Sequence, residues 1–175
     1  MKSTAFLLSL ALSLSASAQS AETVQKQLDA EAQKLRAWGS DPVLVAAVKA
    51  QNAKHLTLDA IKAHDAQWIA GNAADLVKQV TTGPCADRLR ELAAGHYGET
   101  FVMDNQGAII CATAQTSDYW QGDEAKWERA FNGGKGGVFI DRPRFDDSAA
   151  SRLAQISVPV LEKDAAIGAI TIGIR

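Results

Sequence analysis

Tyr119, Trp120, Asp123 and Trp127 fall within one nine-residue stretch. Aromatic rings with a phenol or indole handle, set beside a carboxylate, are the mixture that small-molecule pockets use. The rings supply apolar area, and the O–H or N–H orients the ligand. The same rings could instead plug the open face of a sheet as core. Trp127, close to Phe131 on a helix, has core spacing as well. Glu124, beside Asp123, is accounted for by the positive end of a helix. A second charged cluster runs from Asp141 to Asp147 (DRPRFDD). Asp146 or Asp147 could accept an ammonium, and Arg142 or Arg144 could hold a carboxylate through a bidentate fork. A solvated charged loop would look the same. Gln155 and Ser157 add an amide and a hydroxyl further along.

Several catalytic chemistries are excluded by residue type and spacing. Gly133-Gly134-Lys135-Gly136-Gly137 is not a phosphate loop, because no Ser or Thr follows the lysine and a strand, not a helix, comes next. No G-x-S-x-G elbow is present. His55, His64 and His96 lack metal-ligand spacing, and no cysteine cluster accompanies them. Asp104-Asn105-Gln106-Gly107 is too short for a calcium loop and reads as a hairpin turn. A Cys85–His96 pair is conceivable, but Gly83-Pro84-Cys85 reads as a helix start. The expectation is no catalytic residue, no metal and no cofactor.

The elements that must position these residues divide the chain in two. Residues 22–38 carry Val24, Leu28, Leu35 and Trp38 at helical spacing, and Gly39 stops the run. Asp41-Pro42 is an N-cap and first-turn pair for a helix to about Asn52. Leu58 to Ile69 predicts a third helix closed by Gly71, Ala73 to Val80 a short fourth, and Pro84 to Ala94 a fifth. From Phe101 the period changes. Phe101–Asp104 and Ala108–Ala112 form a hairpin, Asp123–Phe131 is helical, and residues 133–137 make a flexible turn. Val138–Asp141, Leu153–Val160 and Ala166–Ile174 complete five short strands. With no βαβ alternation, the fold class is α+β with an antiparallel sheet. In the last two strands Ile156, Val158, Val160, Ile170, Ile172 and Ile174 share bulky faces. Gln155, Ser157, Pro159, Ala169, Thr171 and Gly173 share small, polar ones. Such a polar face can leave room for a ligand, and it can also simply face water.

The first residues read as an export signal. Lys2 is the positive start, Ala5 to Leu14 the apolar run, and Ala16-Ser17-Ala18 the cleavage pattern. The run is too short for a bilayer, which takes about 20 residues. Cleavage after Ala18 leaves 157 residues and removes one lysine, so the net charge moves from −2 to −3. That charge argues against nucleic acid or an anionic membrane surface as partner. The expected division is 1–18 as signal peptide and 19–175 as one periplasmic domain, with no membrane span after cleavage. Export into an oxidising compartment lets Cys85 and Cys111 pair; two buried thiols are the alternative.

The order long helix, helical connection, strand–Asp-Asn-Gln-Gly–strand, Ser117-Asp118-Tyr119-Trp120-Gln121 and short helix resembles the single Cache domains. So does the ending Gln155-Ile156-Ser157-Val158-Pro159-Val160 with Ile167-Gly168-Ala169-Ile170. These are the PAS-like extracytoplasmic (PDC) sensors of bacteria. The resemblance spans nearly the whole mature chain. It implies a five-stranded antiparallel PAS-like sheet packed on a long N-terminal helix and a helical N-terminal half. A pocket on the other face would be closed by the loop and helix after the second strand. It implies a small organic acid or amino acid as ligand. It puts Tyr119, Trp120, Asp123 and Trp127 on the closing element, Arg142, Arg144, Asp146 and Asp147 on the loop after the third strand, and Gln155 and Ser157 on the floor. Cache domains usually sit between two membrane helices and signal to a cytoplasmic module. No second span follows the last strand here. The expectation is therefore a periplasmic binding or sensor subunit acting with a membrane-bound signalling protein. The alternative is a protein–protein module, a degenerate Cache fold whose long helix forms a homodimer or docks on a membrane receptor.

Overall fold

The computed structural model describes residues 22–146 and 151–174, with 142–146 and 151–153 as backbone only. The signal segment and Asp147 lie outside the described residues. Helix α1 (22–35) buries Leu28, Ala32 and Leu35, which recur three or four residues apart. Val24, read as inward, is 45% exposed, because it sits in the first turn. The helix also ends sooner than its periodicity suggests. Residues Arg36–Ser40 tighten into a 3₁₀ turn. Gly39 explains this: a Cβ there would stand 2.0 Å from the Pro159 carbonyl oxygen, so only glycine lets the turn lie against the sheet backbone.

The Asp41 carboxylate accepts from the N–H groups of Val43 and Leu44 and starts α2 (Pro42–Asn52), with Pro42 in the first turn. It also takes the Arg88 Nε–H at 2.8 Å. Thr57 caps α3 (Leu58–Ile69). Gly71, at φ +74°, turns the chain toward α4 (Ala74–Thr81), and α5 (Pro84–Ala93) follows.

The strands are β1 (Tyr97–Met103), β2 (Ile109–Ala112), β3 (Phe139–Asp146), β4 (Ser151–Glu162) and β5 (Ala165–Ile174). They form one antiparallel sheet in the order β2-β1-β5-β4-β3. The fold is α+β, as the pattern of elements predicts. β3 is longer than its apolar residues suggest. Arg144 pairs with Leu153 and Asp146 with Ser151, so Arg142, Arg144 and Asp146 lie within the strand and not on a loop after it. Backbone pairing with the long β4 overrides the polar sequence. The register breaks between Asp141 and Arg144, around Pro143.

Each sheet face supports a core. Ile156, Val158, Val160, Ile170 and Ile172 pack with Leu28, Leu35, Leu44, Val48 and Leu89 from α1, α2 and α5. On the other face Phe101, Met103 and Ala169 pack with Ile61, Trp68, Val80, Tyr119 and Ala130. Here α6 (Ala125–Phe131) lies against β3, β4 and β5. Ser157 and Thr171 are therefore fully buried and do not face water. A disulfide joins Cys85 in the first turn of α5 to Cys111 in β2, with Cα atoms 5.9 Å apart. Among the described residues no helix is long and apolar enough to cross a membrane.

Candidate functional site

The hairpin between β1 and β2 is closed by Asp104, whose carboxylate accepts from Gln106 N–H at 2.8 Å and Ala108 N–H at 3.0 Å. Gly107, at φ +86°, completes the turn, and the Gly122 backbone presses directly on it. Desolvation raises the Asp104 pKa against the pull of these N–H donors. The connection after β2 folds back over this hairpin. Ile109 N–H donates to Tyr119 O, Gln121 N–H donates to Gly107 O, and Ala108 bridges to Trp120. From the other side, the Asp65 carboxylate on α3 accepts both the Tyr119 and Trp120 N–H groups, at 2.8 and 3.0 Å. One carboxylate thus fixes the backbone on which both aromatic rings stand.

Tyr119 is buried, its ring 5.7 Å from Trp68 and edge-on to His64. Burial, with the charge of Asp104, pushes its phenol up to about 12. The Trp120 indole donates to Gln106 O at 2.8 Å, and the Lys62 ammonium stands 4.6 Å from its ring. The Trp127 indole donates to Asp104 O at 3.0 Å and stacks on Phe131. Asp123 is exposed at the approach to α6. Tyr119, Trp120 and Trp127 are thus gathered around one hairpin, and Asp123 stands apart. The side chains of Arg144 and Asp146 lie outside the described residues.

Below α6 the sheet offers a polar row. Phe101, Thr171, Ser157 and Phe139 are cross-strand neighbours on β1, β5, β4 and β3. The hydroxyls of Ser157 and Thr171 bond each other at 2.8 Å. Half-buried Gln155 lies in the next row, beside Gly173 and Asp141. Lys126 stands in the first turn of α6. Its side chain is only 15% exposed, its ammonium is 5.4 Å from the Phe101 ring, and it pairs with Glu124 at 3.0 Å. Glu99, two residues before Phe101, is exposed as a residue. Its carboxyl pKa is nonetheless raised, by desolvation first and by Asp118, with Lys126 opposing. Lys126, Glu124 and Glu99 are charged groups that can pair with a small charged solute, while the Ser157 and Thr171 hydroxyls beneath α6 are buried and satisfy each other.

Lys126, Glu99 and Asp118 were not singled out by residue type. Lys126 precedes buried Ala130 by four residues, which puts both on one helix face toward the sheet. Glu99 alternates with Phe101 and Met103 once β1 is extended backwards.

No family model matches the chain, and no curated protein matches it. Among solved structures, the sensor domain of the V. cholerae histidine kinase DctB superposes with a TM-score of 0.52 at 14% identity, over 98% of this chain and 57% of that one. The chain has the single Cache (PDC) fold. A further Cache neighbour is the ligand-binding domain of the Pseudomonas aeruginosa PAO1 amino acid chemoreceptor PctC, in complex with GABA. Its TM-score is 0.42 at 15% identity, over 62% of this chain and 53% of that one. The chain spans little more than half the length of either structure. Within the Cache fold described here, the sheet face under α6 carries the polar floor, and the opposite face is covered by α1, α2 and α5.

Proposed function

We propose that the protein is an exported small-molecule binding module, a periplasmic sensor for a small carboxylate or amino acid. The observation that carries this reading is Lys126, an α6 side chain only 15% exposed whose ammonium stands 5.4 Å from the ring of Phe101 on the sheet. The fold shared with the DctB sensor domain supports it. In this reading Tyr119, Trp120, Asp123 and Trp127 form and close the wall, Gln155 and Ser157 the floor, and Arg144 and Asp146 the far rim. The module acts by binding alone and reports to a membrane-bound signalling protein, with α1 as the surface of a homodimer.

Thermal-shift screening against carboxylates, amino acids and amines tests the reading. A ligand at a hundredfold its dissociation constant stabilises by about 2.7 kcal/mol. A panel in which no member raises the melting temperature sinks the proposal. One observation favours a second reading: Tyr119 is packed against Trp68, and both wall indoles already donate to hairpin carbonyls. A closed face of this kind suits a protein–protein module. In that case the screen stays flat while the purified chain pairs with itself or with a receptor fragment in light scattering.

A further inference from the structure

A cavity of about 530 Å³ lies between α1 and one end of the sheet, within the roughly 300–1,000 Å³ that small-molecule pockets occupy. The sheet contributes Tyr97, the first residue of β1, and Ile174, the last of β5, which are cross-strand partners. From α1 come Val24, Leu28 and Glu31, whose spacing puts them on one helix face. Val24 is 45% exposed, so apolar surface stands open at the cavity.

The polar groups within it are acceptors. Tyr97 donates its phenol O–H to Glu31 Oε1. Burial, and then that carboxylate, push the phenol up to about 12, so the proton stays on the tyrosine. The phenol oxygen is left with acceptor capacity alone. The bonds from Lys34 and Tyr97 hold the Glu31 carboxyl below its ordinary range, so it is an anion at neutral pH. Its side chain is only 20% exposed, and each of its oxygens has a lone pair to spare. Lys34 bonds it at 2.7 Å but is itself 72% exposed, and an ion pair to a lysine so solvated contributes little. The covered charge at this spot is therefore negative.

We propose that this cavity is a second ligand site and takes a small amphiphilic ammonium compound, with the cation on Glu31 and the apolar body along Val24, Leu28 and Ile174. An ammonium offers three donors and no acceptor, which complements a carboxylate beside a phenol whose proton is already spent. An anionic ligand would meet Glu31 with the same sign, and a neutral one would leave its charge without a new partner. Burial of the ligand's chain removes the open apolar surface of α1 from water. Leu28 belongs to the aliphatic core, on the other side of the sheet from α6, so this site is independent of the one proposed there.

Calorimetry on the purified protein with three probes of equal chain length, n-hexylamine, hexanoate and hexanol, tests the site. The amine is expected to bind about tenfold or more tightly than the other two, the equivalent of a charge-assisted hydrogen bond. Glu31→Gln keeps the shape of the side chain, removes its charge and is expected to cost the amine a similar factor. Val24→Lys brings a like charge to the opening and is expected to weaken the amine by about two- to fivefold. That position is exposed, so the substitution spares the fold and keeps the test decisive if the Gln variant fails to fold. In the isotope-labelled wild type, hexylamine should move the amide resonances of residues 24–34, 97 and 174. Shifts confined to residues 124–131 would put the amine under α6 and overturn the proposal. So would hexanoate binding as tightly as hexylamine, an undiminished affinity in folded Glu31→Gln, or no binding of millimolar hexylamine to the wild type.

Discussion

Trp120 and Trp127 donate their indole N–H groups to Gln106 O and Asp104 O, the two carbonyls that flank the hairpin turn. Their types predict ligand contacts; their bonds do structural service. Trp120→Phe and Trp127→Phe keep most of the apolar area and lose one hydrogen bond each, so each should lower stability by about 1 kcal/mol in urea unfolding. Asp104 supplies a prediction of opposite character. Burial raises its folded-state pKa above the unfolded value. Its protonated form therefore adds stability that is fully present below the ordinary carboxylate range. That increment is lost as the pH climbs through the folded-state pKa. Asp104→Asn keeps an acceptor for the Gln106 and Ala108 N–H groups and cannot ionise. Melting temperatures across that pH range should fall less steeply for the variant than for the wild type; equal slopes would refute the assignment.

Helix starts and stops were readable along the chain because they depend on neighbours in sequence. Asp41-Pro42 and Gly71 act where their types say they should. Strand ends were less readable, because pairing with a partner decides them. β3 runs on through charged residues because β4 is long enough to hold it. The faces of β4 and β5 were legible from alternation; the cover over the polar one came only from the family resemblance, which put the loop and helix after the second strand there. Nothing in Ser157 or Thr171 announces that α6 will lie above them; that depends on where the chain goes after residue 122. The link between α5 and β2 belongs to this scale too. The Cys85–Cys111 bridge closes a loop of 26 residues, which in the chain-entropy model is equivalent to about 3.5 kcal/mol. A Cys85→Ala, Cys111→Ala double variant should lose stability of that order in denaturant unfolding, and reducing agent should have the same effect on the wild type and none on the variant.

For the molecule as a whole, a single sheet separates two cores of different composition. One is aliphatic and pressed against α1, α2 and α5; the other is aromatic and interrupted by polar groups under α6. The division explains why the fold was more legible than the site. Aliphatic alternation declares itself in sequence, whereas Lys126 and Glu99 come together only when two distant segments meet. The sheet also has two edges to guard. β2 is covered by the returning connection, through the Ile109–Tyr119 bond and the Ala108–Trp120 bridge. β3 forms the other edge, and its middle is occupied by Pro143, at the register break. A strand that would add to β3 from another molecule finds no N–H at that residue, where the register of the sheet is also broken. Pro143 thus interrupts this edge as a template for polymerising. Pro143→Val, which restores the missing donor, should make concentrated solutions scatter light and bind amyloid-reporting dyes on incubation, while the parent protein stays clear.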